Sequence, residues 1–337
     1  METMTDRTDA RRLVSIVVPV FHNSSSLADL LGQFQSLTQR NPTEDFEFVF
    51  VDDGSRDSSY QVLCKLMKTE PRMRVIKLSR NFGSNAALSA GLEQARGQAV
   101  ACIAADLQDP PELIDDMLVA WRRGKKIVLA ARNGRDEPLI TQLFANTFYA
   151  LFRRFAIKTM PAQGFDFFLL DRQAVDLVNS IQESNVYLMG LILWLGFEPE
   201  VVYYRRRARE VQYGTSMWTL LKKMKYFIDG FVAFSYTPIR ACSSLGGILS
   251  LLGLIYAIGI IFGRIFFAIH VEGWSSLMVV LLIVSGVQML MIGVVGEYLW
   301  RNLEETRRRP RFIIEKILQT IDDLPKIEST NSPSSTN

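Results

Sequence analysis

The hydrophobic pattern of the first part of the chain alternates between two periods. Short runs rich in Val, Ile and Phe predict strands at residues 14–20, 46–51, 74–78, 99–104 and 127–130. Between them, apolar residues recur at helical spacing over residues 25–39, 58–69, 84–96 and 111–123. Strands that alternate with helices are typical of a mainly parallel sheet, so we expect an α/β domain.

Two segments closer to the carboxyl terminus, residues 241–263 and 273–296, carry no charged side chain. As a helix, each would be roughly 35 Å long at about 1.5 Å per residue. The hydrocarbon core of a bilayer is about 30 Å thick. Two buried core helices are the alternative, but core helices are usually amphipathic, whereas these segments are apolar all round. The pattern therefore predicts a hairpin of two transmembrane helices.

The flanking residues predict the topology and the division of the chain. Residues 1–12 are polar, and we expect a flexible amino terminus without a signal peptide, followed by a cytosolic domain over residues 13–215. Lysines and aromatic residues mix in segment 216–238, as in an interfacial amphipathic helix, although a partner-binding helix would look similar. Basic residues flank the apolar region 239–300 on both sides. They predict a multi-pass protein of the cell inner membrane with both termini, including the 301–337 tail, in the cytoplasm.

Composition and motif searches exclude several classes of protein. The chain has 337 residues, and 38 basic against 35 acidic side chains give a net charge of +3, which does not favour a nucleic-acid partner. The cysteines Cys64, Cys102 and Cys242 lack the spacing of metal ligands. A G-x-G-x-x-G motif does not follow the first predicted strand, and no P-loop motif is present, which disfavours dinucleotide oxidoreductases and P-loop NTPases.

Polar loops follow four of the predicted strands, and ligands of open parallel sheets bind at the carboxyl ends of the strands. The loops read His22-Asn23, Asp52-Asp53-Gly54-Ser55, Ser79-Arg80-Asn81-Phe82-Gly83 and Asp106-Leu107-Gln108-Asp109. Each loop alone could reflect turn chemistry. Together, several carboxylates without a His or Cys cluster suit Mg²⁺ or Mn²⁺ and a phosphate-bearing substrate.

These loops resemble the successive motifs of family 2 glycosyltransferases. The motifs are Val17-Val18-Pro19-Val20-Phe21, Phe50-Val51-Asp52-Asp53-Gly54-Ser55, Leu78-Ser79-Arg80-Asn81-Phe82-Gly83 and Ala105-Asp106-Leu107-Gln108-Asp109-Pro110-Pro111-Glu112. With Gly214-Thr215-Ser216-Met217-Trp218 and the hairpin, the resemblance narrows to polyprenyl-phosphate glycosyltransferases, the group of bactoprenol glucosyltransferase and dolichyl-phosphate mannose synthase. It covers roughly residues 13–315 and implies a GT-A-like domain that binds a nucleotide sugar.

The resemblance also implies residue roles. Nucleotide-sugar contacts fall on Pro19, Phe21, Asn23, Asp52, Asp53, Arg80 and Arg209. Asp106 and Gln108 match two positions of the family's metal-binding motif, although Asp106 could instead cap the following helix. Arg132 and Arg135 match family arginines that suit binding of the acceptor phosphate. Asp166 matches an acidic catalytic position, as a base or as a group that orients sugar or acceptor.

Three positions depart from the family pattern. His22-Asn23 replaces Asn-Glu, Ala104 replaces the first Asp of the metal motif, and Met217 replaces a Lys. Because Met217 stands where the family often has a Lys, we expect a diphosphate contact from Arg209 or Lys222 instead.

The resulting hypothesis is an inverting, metal-dependent transfer of one sugar, with a UDP-sugar favoured as donor and polyprenyl phosphate as acceptor. A processive polysaccharide synthase is disfavoured because the chain lacks Gln-x-x-Arg-Trp and has only two predicted spans. A membrane-anchored scaffold is the non-enzymatic alternative. Small residues permit close helix approach in lipid, so the hairpin could also support a homo-oligomer through Gly246, Gly247, Gly253 and Gly259.

Overall fold

The structure, a computed structural model, describes residues 11–132, 150, 153–154, 157–181, 183, 187–205, 237–267 and 273–319. The strands within these residues are β1 (Arg12–Val20), β2 (Glu44–Asp52), β3 (Met73–Leu78), β4 (Ala99–Cys102), β5 (Ile127–Arg132), β6 (Phe167–Asp171), β7 (Glu200–Tyr204) and β8 (Ile314–Leu318). The helices are α1 (Leu27–Arg40), α2 (Ser59–Met67), α3 (Ser84–Gln94), α4 (Leu113–Arg122), α5 (Arg172–Ser180), α6 (Leu188–Trp194), α7 (Thr237–Phe267) and α8 (Trp274–Arg307).

The strands form one sheet in the order β7-β5-β6-β4-β1-β2-β3-β8. Of these, β6 and β8 run antiparallel to their neighbours, and the other pairs are parallel. The carboxyl ends of β1 to β5 and of β7 therefore meet at one edge of the sheet, where β6 and β8 begin. The mainly parallel α/β architecture is confirmed, and all five predicted strands are present, although β4 ends at Cys102 rather than at residue 104.

Helices cover both faces of the sheet, which explains why the strands are apolar almost without interruption. One core joins the sheet to α1, α2 and α4 around Phe34, Phe48 and Phe50. The other joins it to α3, α5 and α6. A Cβ on Gly91 of α3 would lie 2.2 Å from Val17 Cγ1, so the missing side chain lets α3 approach β1 closely.

The sequence patterns missed three strands, β6, β7 and β8. The last of these follows the second long helix and pairs antiparallel with β3, within the segment that we expected to be a tail. Leu318 is fully buried in the first core, and Lys77 Nζ lies 2.8 Å from Glu315 Oε1. Residues 314–318 thus form one edge of the sheet.

The two long helices agree with the predicted hairpin. Segments Ile239–Ile260 and Leu277–Arg307 are long and apolar enough to cross a membrane, and side chains such as Leu251, Tyr256 and Ile292 are more than half exposed. A Cβ on Gly246 would lie 2.9 Å from Met291 Cε, so this glycine lies against the other helix of the same chain. The homo-oligomer stays a prediction, and most of the expected interfacial helix, 216–238, lies outside the described residues.

Candidate active site

The loops after β1 and β2 are joined at the carboxyl edge of the sheet. Three backbone N–H groups make the connection: Asp53 N donates to Val20 O (2.8 Å), His22 N to Ser55 Oγ (3.2 Å) and Asn23 N to Ser59 Oγ (2.9 Å). Because adjacent parallel strands end side by side, these loops lie next to each other as the sequence predicted.

Asp53 joins the β2 loop to the β3 loop. Its Oδ1 accepts from Phe82 N at 2.7 Å and its Oδ2 from Gly83 N at 2.9 Å. Burial raises the pKa of Asp53, although the two backbone N–H groups oppose this effect. Both carboxylate oxygens therefore hold the loops together, and a direct contact of Asp53 with a nucleotide stays a prediction.

Asp52 presents a buried acceptor oxygen beside these loops. The residue is fully buried, and its Oδ1 accepts from Ser55 N at 3.3 Å. Among the described residues, no hydrogen-bond donor reaches its buried Oδ2. Burial raises the pKa of Asp52, while Ser55 and the charge of Lys77 act in the opposite direction. An acceptor in this state can be satisfied by an N–H or O–H group of a ligand.

Aromatic groups lie on the loops that flank Asp52. The rings of Phe21 and His22 stack with centroids 4.1 Å apart and an interplanar angle of 16°. The guanidinium of Arg80 lies 3.9 Å from the centroid of the Phe82 ring. Aromatic faces beside a buried acceptor suit the flat, polar-edged rings of a nucleobase.

Of the predicted nucleotide-sugar residues, the structure brings six to the ends of the adjacent strands β1, β2 and β3. Pro19 lies in β1, and Asn23 Oδ1 accepts from Phe21 N at 3.1 Å. The six residues are Pro19, Phe21, Asn23, Asp52, Asp53 and Arg80. Arg209 lies outside the described residues.

Asp106 and Gln108 follow β4 in a tight loop. Asp106 is 8% exposed, its Oδ1 accepts from Gln108 N at 3.2 Å, and Leu107 between them has a left-handed φ of 58°. The loop is tied to the start of α1, because Ser26 Oγ donates to Ala105 O at 2.6 Å. Helix α4 begins only at Leu113, with Glu112 at its N-cap position, which disfavours a capping role for Asp106.

The donor set at this loop fits a hard divalent cation that also binds substrate. Asp106 and Gln108 offer oxygen atoms, the ligands that Mg²⁺ and Mn²⁺ prefer. Within the described residues, no group of three His, Cys, Asp or Glu side chains could hold a metal ion. Two protein oxygens fit an ion whose remaining ligands are water and substrate phosphate, as Mg²⁺ typically has.

Arg132 and Asp166 meet at the same edge, from the end of β5 and the residue before β6. Arg132 Nη2 donates to Asp166 Oδ2, and Arg132 is the shielded partner, with 17% of its side chain exposed against 58% for Asp166. Burial alone would lower the pKa of Arg132, but the charges of Asp166 and Asp109 outweigh it and raise the pKa. Arg132, predicted to bind the acceptor phosphate, and Asp166, predicted to be catalytic, thus lie in direct contact.

Tyr204 and Asp109 complete this cluster, and sequence reasoning missed both. The Tyr204 hydroxyl donates to Asp109 Oδ1, and Tyr204 is the register partner of Arg132 in the β5–β7 pair. Asp109 lies in the loop Asp106-Leu107-Gln108-Asp109, but the resemblance assigned it no role. Tyr204 lies in no sequence motif, and its place in the site depends on how β7 pairs with β5. The second predicted acceptor arginine, Arg135, lies outside the described residues.

Comparison with known proteins assigns the family. The model of Glycosyl transferase family 2 matches residues 15–176, which include most of the site. A bactoprenol glucosyl transferase derived from the SfII prophage of Shigella flexneri is 32% identical, covering 90% of this chain and 97% of the relative. The chain belongs to glycosyltransferase family 2, and its GT-A-like fold agrees with that membership.

Two further proteins resemble the chain. An uncharacterized glycosyltransferase of Bacillus subtilis, YkcC, is 35% identical, covering 90% of this chain and 93% of the relative. A solved structure of glucosyl-3-phosphoglycerate synthase from Mycobacterium tuberculosis contains Mn²⁺, uridine-diphosphate-glucose and phosphoglyceric acid. It is 15% identical, with a TM-score of 0.43, covering 64% of this chain and 76% of that one.

Proposed function

We propose that the protein transfers one sugar from a nucleotide-diphosphate sugar to polyprenyl phosphate at the cytoplasmic face of the inner membrane. The observation that carries the proposal is the joining of four polar loops around Asp52, Asp106 and Arg132, in a chain with two exposed helices of membrane-spanning length. The bactoprenol glucosyl transferase relative, which matches almost over its full length, supports the lipid acceptor.

The donor would bind across the ends of β1, β2 and β3, with a UDP-sugar as the first candidate. The Phe21–His22 ring pair offers a stacking surface for the base, and Asp52 Oδ2 offers an acceptor for an N–H or O–H group of the nucleoside. Arg80 on the β3 loop, and Arg209 from the segment before Gly214, would supply positive charge for the diphosphate.

Asp106 and Gln108 would hold Mg²⁺ or Mn²⁺ beside the donor diphosphate. A cation there would neutralise the negative charge that develops on the leaving diphosphate. The backbone around these ligands is fixed in advance by the Ser26 contact and the Gln108 N–H bond, which lowers the cost of ordering the site when the donor binds.

Arg132 and Arg135 would bind the acceptor phosphate, whose oxygen attacks the anomeric carbon. The bond from that carbon to the diphosphate breaks, and the electron pair leaves with the nucleoside diphosphate, so attack from the opposite face inverts the configuration. A phosphate monoester is already anionic near pH 7 and needs little help from a base. Asp166 would therefore orient the acceptor or the sugar through its contact with Arg132.

Membrane anchoring fits this acceptor. A polyprenyl tail partitions into the bilayer, so a tethered catalytic domain meets the phosphate in two dimensions and in a restricted orientation. The hairpin α7–α8 and the segment 216–238 would hold the carboxyl edge of the sheet near the cytoplasmic headgroups.

A transfer assay tests the proposal. The full chain, reconstituted in liposomes with undecaprenyl phosphate, is incubated with radiolabelled nucleotide sugars and with Mg²⁺, Mn²⁺ or a chelator. Label extracted into organic solvent from one donor, lost with the chelator, is the expected result, and the anomeric coupling constant of the product reports inversion. Folded protein that binds no nucleotide sugar and makes no product would favour the scaffold.

A pair of matched variants tests the assigned site. Asp106→Asn should reduce transfer on the order of 100-fold, because charge on the leaving group is no longer balanced. Asp116→Asn, a nearby exposed carboxylate on α4, should leave transfer unchanged. Equal activity of the two variants would contradict the assignment of Asp106.

A further inference from the structure

The ends of β5 and β7 place two side chains next to each other at the acceptor side of the site. Arg132 and Tyr204 are register partners in the parallel pair β5–β7. Both residues occupy the last position of their strand, at the edge where the polar loops meet. Side chains of register partners in neighbouring strands point to the same face of the sheet, which brings the phenol hydroxyl to the guanidinium.

The Tyr204 hydroxyl has one proton to donate and two lone pairs that can accept. It donates the proton to Asp109 Oδ1, so its lone pairs stay available to the neighbouring Arg132 guanidinium, which can only donate. Burial and the Asp109 carboxylate raise the pKa of Tyr204, so the phenol keeps its proton at neutral pH. Asp109 therefore orients the hydroxyl so that its lone pairs face Arg132.

The two sides of Arg132 differ in their exposure to water. Tyr204 is 7% exposed and Asp109 only 1%, whereas more than half of the Asp166 side chain is exposed. An incoming anion can compete with Asp166 for the guanidinium, but it cannot reach the side held by Tyr204 and Asp109. One edge of the guanidinium is thus fixed and the other can exchange its partner.

We propose that Tyr204 and Asp109 are positioning residues that hold the Arg132 guanidinium ready for the phosphate of the lipid acceptor. The inference rests on the proposed function and extends it, because it assigns two residues of the acceptor subsite. A guanidinium fixed on one edge loses less conformational freedom when phosphate binds, which strengthens binding of the acceptor while binding of the donor is unaffected.

Tyr204→Phe tests this role, because it removes the hydroxyl and keeps the ring in the core. Tyr203→Phe, on the same strand but 66% exposed, is the matched control. Each full-length variant in detergent is titrated by calorimetry with farnesyl phosphate and, separately, with UDP. We expect the Kd for farnesyl phosphate to rise about tenfold in Tyr204→Phe, as for loss of a hydrogen bond to a charged group, and to stay unchanged in Tyr203→Phe.

Kinetics separate positioning from a structural role. In the transfer assay, Tyr204→Phe should raise the KM for polyprenyl phosphate and leave the KM for the nucleotide sugar unchanged. Asp109→Asn, which keeps an oxygen acceptor but removes the charge, should give a smaller rise in the same constant.

The inference is overturned if Tyr204→Phe binds farnesyl phosphate as tightly as the parent protein, if the parent does not bind it, or if UDP binding weakens equally. Binding that depends on Tyr204 in a parent protein that makes no lipid-linked product would overturn the proposed function instead.

Discussion

Gly54 lies where the β2 and β3 loops of the site approach each other closely, and Gly54→Ala would disturb that approach. Gly54 follows Asp53 and has a left-handed φ of 66°. A Cβ there would lie 2.5 Å from the backbone carbon of Arg80 and 2.6 Å from Asn81 N. Backbone atoms cannot rotate away as the end of a side chain can, so the β2 and β3 loops must separate.

The magnitude follows from two contributions. The left-handed conformation costs a residue with a Cβ about 1 kcal/mol. Overpacking against fixed atoms adds about 1–3 kcal/mol. The expected loss of unfolding free energy is therefore about 2–4 kcal/mol, which corresponds to several degrees in Tm. Separation of the loops also weakens the bonds of Asp53 to Phe82 N and Gly83 N, so the KM for the nucleotide sugar should rise.

The assay compares Gly54→Ala with Gly124→Ala in the same detergent, by thermal unfolding and by transfer kinetics. Gly124 also has a left-handed φ, 94°, but a Cβ there would meet no atom within 4 Å. The control should lose only about 1 kcal/mol, the cost of the backbone conformation, with an unchanged KM. Equal losses in the two variants, or an unchanged KM in Gly54→Ala, would refute the argument that the clash separates the loops.

Two further variants test the core and the buried charge. Leu318→Ala in β8 should lower the free energy of unfolding, measured with urea, by about 2–5 kcal/mol, because a fully buried side chain is removed. The control Ile313→Ala removes a side chain that is 51% exposed and should lower it by less than about 0.5 kcal/mol. Equal losses would show that β8 does not contribute to the core. Burial raises the pKa of Asp52 above 3.8, so the folded protein holds the carboxyl proton more tightly than the unfolded chain does. The free energy of unfolding therefore falls as the pH rises from about 4, because Asp52 must then lose this proton in the folded protein. Asp52→Asn should therefore be more stable than the parent at about pH 7, with the difference shrinking toward about pH 4, while the KM for the nucleotide sugar rises; a difference independent of pH would contradict this assignment.

Local patterns predicted those parts of the fold whose signal lies within one element. β1 and β2 are long apolar runs, and the apolar positions of α1 repeat at helical spacing, so their bounds agree within a few residues. The loops after β1 to β4 could also be placed, because parallel strands in an α/β sheet end at one edge. Asp52 and Asp106 therefore lie at the carboxyl edge of the sheet as predicted, whereas Arg132, at the end of β5, was assigned only from the family resemblance.

Elements whose pairing depends on distant residues could not be predicted. β8 has only five residues, and its partner β3 is separated from it by most of the chain. The short run therefore looked like part of a tail, although it adds the buried Leu318 to the core. The strands β6 and β7 are equally short, and their pairing also depends on distant residues, because β6 lies between β4 and β5 and β7 pairs with β5.

The sequence by itself determined the class of fold, the hairpin of long apolar helices and the chemical types of the rim residues, because periodicity and composition act locally. Only the tertiary structure decided which of those residues act together. It showed that Asp53 joins two loops through backbone N–H groups and that Arg132 lies between Asp166 and the Tyr204–Asp109 pair. These contacts arise from the register of strands far apart in the chain, and neighbouring residues in the sequence carry no information about that register.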